Sequence, residues 1–142
     1  MEIKTADTKD LYDYCLDIRM KVFVEEQDVP ADIEVDEHED ICTHFVLFDD
    51  SGEPVGTVRY RPLEDGMIKI ERMAVLKPHR GKGYGYDLME GVHRHAKSAG
   101  YKSAKLGAQV HAIPFYEKLG YSVASDEFDD AGIPHKYMIR EL

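Results

Sequence analysis

The sequence predicts an α+β domain built on a central, mostly antiparallel sheet. Three observations carry that reading. Between Thr43 and Val75, three β-type segments follow one another across short turns. Amphipathic helical segments lie on either side of them. Two more strands close the chain around the turn Asp130-Ala131-Gly132-Ile133-Pro134. The 142 residues are close to the commonest size for one domain. No repeat, low-complexity tract or linker divides them, so residues 1–142 read as a single domain.

Taken in order, Ile3 opens a short β-type segment and Asp7-Thr8 offers a helix N-cap. Leu11, Cys15, Ile18 and Val22 then fall at spacings of four, three and four, one face of an amphipathic helix. That helix should fade near Gln27, because Pro30 biases the residue before it away from helix. Thr43–Phe48, Val55–Tyr60 and Met67–Val75 are strands, separated by the turns Asp49-Asp50-Ser51-Gly52 and Glu64-Asp65-Gly66. After Pro78 and a glycine-rich stretch, Leu88, Met89, Val92, Ala96 and Ala99 mark a second helix, which Gly100 stops. Lys102–Ala108 is a strand and His111–Leu119 a short helix closed by Gly120. Tyr121–Ala124 and Lys136–Arg140 are the last strands.

Composition narrows the function classes. No apolar run approaches the ~18 residues of a membrane span, and the N-terminus lacks a signal-peptide pattern. Cys15 and Cys42 form no close-spaced motif, which suits a reducing, cytoplasmic setting. Neither cysteine has a flanking base, so no thiol nucleophile is expected. Cys42-x-His44 with His38 is too sparse for zinc, so no metal is expected. The formal net charge of −10 argues against a nucleic-acid binder. That charge is unevenly placed. Residues 25–40 hold nine acids and no Lys or Arg, whereas residues 77–105 hold seven bases against Asp87 and Glu90.

Arg80-Gly81-Lys82-Gly83-Tyr84-Gly85 lies between a strand and a helix. Glycines permit close backbone approach, and a helix start presents free N–H groups to phosphate oxygens. A Walker A loop is excluded, because Gly83 follows Lys82 and position 76 is Leu. A dinucleotide fingerprint is excluded too, because its last glycine position is Tyr86. The pattern that fits is R-x-x-G-x-G. Thirty residues past Gly85 begins Phe115-Tyr116-Glu117-Lys118-Leu119-Gly120-Tyr121, and before the loop stands Ile70-Glu71-Arg72-Met73-Ala74-Val75.

With these motifs in this order, the sequence resembles the GNAT superfamily of acyl-CoA-dependent N-acetyltransferases. It is similar further to a subgroup of small bacterial members, the YjcF/ElaA-like proteins. Arg19-x-x-Val22-Phe23-Val24-x-Glu26-Gln27-x-Val29-Pro30 and Asp130-Ala131-Gly132-Ile133-Pro134-His135 carry that second likeness. The resemblance implies the acyl-CoA N-acyltransferase fold: a mixed, mostly antiparallel sheet with two splayed strands, flanked by helices. Met67–Val75, carrying a bulge, and Lys102–Ala108 would be the splayed pair. Backbone groups of Met73, Ala74 and Val75 would hold the pantetheine of acetyl-CoA. Arg80, Gly81, Lys82, Gly83, Tyr84 and Gly85 would hold its pyrophosphate, with Gln109, His111 and Phe115 nearby.

Acetyl transfer needs a neutral amine, whereas a lysine-type amine near pKa 10.4 is only about one part in 10³ neutral at pH 7. A general base therefore helps. Glu71 is the expected base, and by period-two alternation it shares a face with Met73 and Val75. Glu26 and Glu34 are alternatives. Tyr116 matches the family's general acid, which protonates the departing thiolate. Arg19, Glu26, Glu34 and His135 are the expected acceptor-side residues. The acceptor would be a small-molecule or peptide amine, with direct transfer and no metal. The acidic stretch would form a negative rim for a cationic acceptor, so neutralising Glu34, Asp36, Glu37, Glu39 and Asp40 should raise its KM. A non-catalytic acyl-CoA-binding module on the same fold is the alternative. GNAT proteins are often dimers, which leaves a homodimer open.

Overall fold

The computed structural model describes residues 1–30 and 36–142. In chain order its main elements are β1 (Glu2–Thr5), α1 (Lys9–Arg19), β2 (Thr43–Phe48), β3 (Pro54–Pro62) and β4 (Met67–Val75). Then follow α2 (Tyr84–Ser98), β5 (Ser103–Gln109), α3 (Ile113–Lys118), β6 (Ser122–Val123), β7 (Phe128–Asp130) and β8 (Ile133–Glu141). The strands form one sheet in the order β1-β2-β3-β4-β5-β8-β6, with β7 also on β8. Among the described residues only the β4–β5 pairing is parallel; the others are antiparallel. This is the mixed, mostly antiparallel sheet of the acyl-CoA N-acyltransferase fold. Among the described residues, no helix is long and apolar enough to cross a membrane.

Thr8 caps α1, its hydroxyl accepting from the Leu11 N–H at 3.3 Å. Cys15 and Ile18 on the predicted face are buried with Val22, Val46 and Ala74 between α1 and the sheet. The helix does not continue regularly to Gln27. From Met20 to Glu26 it widens into π-helical turns, and Gln27 N–H bonds Val22 C=O at 3.1 Å. Such widened turns cluster at functional sites. Here the widening leaves Val22 packed in the core while also bringing it, with Phe23 and Gln27, to a cavity wall.

The larger core lies on the opposite sheet face. Leu88, Met89, Val92 and Ala96 of α2 pack there against Phe45, Val58, Ile68, Ile70 and Ala104. Gly56 is needed for that contact, since a Cβ there would sit 2.9 Å from Leu88 Cδ1. Gly100 ends α2 as expected, at φ +95°. β7 has no counterpart in the sequence reading. It pairs with β8 across a two-residue turn, Asp130 facing Ile133, with Ala131 at φ +53° and Gly132 at +81°. Hairpin turns of this mirror-image kind favour Asn-Gly, and the Ala-Gly found here hides the strand from pattern reading.

Two irregularities position the site. β4 and β5 pair only from Met67–Ser103 to Ile70–Leu106, after which both strands continue without pairing to each other. In addition, β3 pairs Arg59 with Glu71 and Thr57 with Ala74, so β4 carries one extra residue at Arg72-Met73. Arg72 takes φ +58°, an uncommon conformation for a residue with a Cβ.

Candidate active site

The divergence of β4 and β5 opens a cavity of about 740 Å³ that reaches both faces of the sheet. On the α2 side it is bounded by β4, the glycine loop and α3. Neither Arg72 nor Met73 has a register partner on β3, and β5 has already parted from β4. The backbone at the bulge therefore borders the cavity. Met73 and Val75 pack toward the α2 core, while the Ala74 side chain is buried in the α1 core, leaving only its backbone for a ligand.

Gly81 and Gly83 stand at φ +81° and +82°, with no atom within 4 Å of where a Cβ would be. The loop is thus open on the side where a side chain would project. Gly83 is the N-cap of α2 and offers no side chain to cap it. The first N–H groups of α2, at Tyr84 and Gly85, are consequently available to an anion. Arg80, Gly81, Gly83, Tyr84 and Gly85 line the cavity; Lys82 is exposed outside that lining. The Phe115 ring closes against the start of α2, 3.4 Å from where a Cβ on Gly85 would be.

Glu26 is placed at this end, away from the acceptor side. Its carboxylate receives both Arg80 guanidinium N–H groups, at 2.7 and 2.8 Å. That contact with Arg80 holds the Glu26 carboxyl below the usual range. The Arg80 Nε–H donates to Val75 C=O at 2.9 Å. Because Glu26 competes with an anionic ligand for Arg80, Glu26→Gln should tighten binding of CoA. The pair is more than a third exposed on the Arg80 side. The gain should therefore be modest, up to about fivefold in Kd, and smaller in high salt. Titration calorimetry checks it, and weaker binding would reject the competition.

Tyr116 and Phe115 line the cavity on α3, their rings edge to face at 5.0 Å. Burial pushes the Tyr116 hydroxyl up to about 12, so it keeps its proton at neutral pH. Gln109 and His111, at the end of β5 and beyond, also line the cavity. Their polar groups meet one another. His111 Nε2–H donates to Gln109 Oε1 at 2.8 Å, and Gln109 Nε2–H donates to Gln27 Oε1 at 3.0 Å. This links the two walls of the cavity.

On the α1 face the structure corrects several expectations. Glu71 does not share a face with Met73 and Val75. The extra residue at the bulge shifts the alternation, leaving Glu71 on the α1 face, where it bonds Arg59 at 3.0 Å, Arg61 at 3.1 Å and Lys69 at 3.3 Å. Burial alone would raise its pKa, but Arg59, Lys69 and Arg61 outweigh that and hold the carboxyl below its ordinary range. Arg19 is no acceptor contact. It is 1% exposed and donates to Glu39 at 2.7 and 3.1 Å. Arg59, equally buried, bonds Asp36 at 2.8 and 3.0 Å and also Glu39.

The negative rim is altered in consequence. Asp36 and Glu39 are bound by these arginines, and Asp36 also meets Arg72 at 3.4 Å. Neutralising them would act on the fold before it acted on an acceptor. Glu34 lies outside the described residues. His135, expected in the turn before the last strand, instead lies within β8 and lines the cavity. Sequence reasoning missed Phe23, Val29, Phe128 and Tyr137, which line the same side. Phe128 was hidden because β7 was not seen; its ring lies 4.4 Å from that of Tyr137 on β8. Among the described residues, no three His, Cys, Asp or Glu side chains converge as a metal site.

A family model described as an acetyltransferase (GNAT) domain matches residues 14–142. The uncharacterized N-acetyltransferase YjcF of Bacillus subtilis is 46% identical over 125 residues, covering 87% of this chain and 88% of that protein. An acyl-CoA N-acyltransferase structure from Pseudomonas aeruginosa has a TM-score of 0.86 at 28% identity, over 98% of this chain and 97% of that one. Escherichia coli ElaA has a TM-score of 0.87 at 25% identity, over 99% of both chains.

Proposed function

The chain belongs to the GNAT acetyltransferase family and is an N-acetyltransferase; from this premise we propose that it moves an acetyl group directly from acetyl-CoA to a primary amine. The observation that carries the reading is the parting of β4 and β5 beyond Ile70 and Leu106, with the open glycine loop at one end of the resulting cavity. The residues present suit acetyl-CoA. Arg80 and the N–H groups at the start of α2 match a pyrophosphate, and the backbone of Met73 and Val75 matches the amides of pantetheine. The thioester supplies the activated acyl group.

The acceptor enters from the α1 face, between Phe23 and Val29 on one side and Phe128 and Tyr137 on the other. It arrives as a cationic ammonium ion and must lose a proton before attack. A backbone N–H at the β4 bulge receives the developing oxyanion, a role worth a few kcal/mol in comparable sites. Tyr116 donates its proton to the departing thiolate. Neither cysteine lines the cavity, and burial raises the pKa of both thiols, in keeping with transfer that uses no thiol intermediate.

Incubation with acetyl-CoA and a panel of primary amines should release CoA thiol in proportion to acetylated amine, followed with a thiol reagent and mass spectrometry. Binding of acetyl-CoA with no thiol release from any amine would favour a non-catalytic acyl-CoA-binding module instead.

A further inference from the structure

We propose that His135, rather than Glu71, is the general base that deprotonates the acceptor amine; this rests on the acetyl-transfer reading above. Glu71 is poorly suited to the task, since its carboxylate is held by Arg59, Arg61 and Lys69. Three cations lower its affinity for a proton, and they fill the oxygens that an ammonium would approach.

His135 has the opposite surroundings. It lines the cavity, is 8% exposed, and its ring stacks on Phe128 at 5.9 Å with 25° between planes. Its Nδ1 lies 2.7 Å from Ile133 C=O. A carbonyl only accepts, so Nδ1 carries the hydrogen and the neutral ring keeps its lone pair on Nε2. No group among the described residues bonds that Nε2. The ring is therefore oriented, with its tautomer fixed by the main chain and its basic nitrogen unoccupied.

The register sets its level in the cavity. β4 and β5 part after Ile70 and Leu106, and Met73 and Gln109 each stand three residues beyond that point. His135 pairs with Gln109, one strand farther out on β8. It thus belongs to the wall facing the bulge whose backbone would hold the thioester carbonyl. The titratable groups on the elements around it include Asp129 and Asp130 of β7, Lys136, Tyr137, Arg140 and Glu141 of β8, Lys105 of β5 and His111 beyond Gln109.

The step balances as follows. His135 Nε2 takes one proton from the ammonium and later gives it to water. The freed nitrogen lone pair forms the C–N bond at the thioester carbon, and the C–S bond breaks with its electron pair going to sulfur. Tyr116 protonates that sulfur, and the second amine proton restores Tyr116. The products are the amide, CoA thiol and one proton.

The test compares His135→Asn, which keeps a donor for Ile133 but has no basic nitrogen, with His135→Gln as a second variant. Acceptors are the best substrate among n-butylamine, putrescine and lysine amide, and methoxyamine, an amine nucleophile already neutral at pH 7. Both variants should lower kcat for the alkylamine by about 100-fold. They should keep the KM for acetyl-CoA within about twofold, and lose no more than about threefold with methoxyamine. Equal losses on both nucleophiles, in variants with wild-type melting temperatures, would overturn the proposal, as would an unchanged alkylamine rate. A wild-type enzyme that releases no thiol with any of these amines would instead reject the acetyl-transfer reading, and this proposal with it.

Discussion

Tyr116→Phe lowers kcat by about 100-fold while leaving the affinity for CoA within about twofold. That is the expected result of removing a general acid without disturbing its ring. The ring packs edge to face on Phe115 at 5.0 Å and on Tyr121 at 6.1 Å, and phenylalanine preserves both contacts. The hydroxyl makes no hydrogen bond to any described protein group, so its loss leaves no buried partner unsatisfied. A proton held up to about 12 is retained throughout the neutral range, yet a thiolate still gains from having it delivered in place. Steady-state kinetics with acetyl-CoA and calorimetry with CoA separate the two effects. An unaltered kcat would remove Tyr116 as the acid, and a large loss of CoA affinity would make it a binding residue.

Arg59→Ala should be the most damaging single change to stability. Arg59 is 1% exposed and holds Asp36 and Glu39 of one segment and Glu71 of β4. Removing one partner of a buried ion pair costs about 3–5 kcal/mol, because the carboxylates left behind stay out of water. For a domain of this size that corresponds to a fall in Tm of roughly 10–15 °C. Arg59→Met, which fills more of the space, should lose less.

The same cluster fixes the acid response. For Asp36, Glu39 and Glu71 burial acts upward on the pKa, and the neighbouring cations outweigh it, with Arg59 acting on all three and Arg19 chiefly on Glu39. All three carboxyls are therefore lowered in the folded state. Their stabilisation is fully present above the ordinary carboxylate range and is lost as pH falls through the folded values. Wild-type Tm should hold from pH 7 to about pH 5 and fall steeply below about pH 4, with a shallower fall in Arg59→Ala. Thermal melts across pH measure both, and an Arg59→Ala shift under about 2 °C would remove the cluster as a stabilising element.

Patterns that depend on near neighbours were legible in the sequence. Thr43–Phe48 and Met67–Val75 were found to the residue, because alternation and turn residues are local properties. The glycine loop and the Phe115-Tyr116 pair were legible as motifs, and both line one cavity. Features that depend on one extra residue, or on a distant partner, were not. The bulge at Arg72-Met73 carries no glycine to announce it, yet it shifts every later side chain of β4 and so puts Met73 and Val75 on the face opposite Glu71. Arg19 and Glu26 stood in a motif that suggested an acceptor site. Each instead meets a charge far along the chain, Glu39 and Arg80 respectively, which no spacing rule foretells.

The uneven charge shows the division most clearly. The nine acids of residues 25–40 and the glycine loop were determined by the sequence alone, and with them the fold and the family. Whether those acids face a substrate or the protein was decided only by tertiary structure. Buried arginines on α1 and β3 draw Asp36 and Glu39 inward, because a guanidinium removed from water needs carboxylate partners more than the surface needs negative charge. The same packing fixes the tautomer of His135 through a main-chain carbonyl two residues away. Composition counts charges, and folding decides which of them remain available to a ligand.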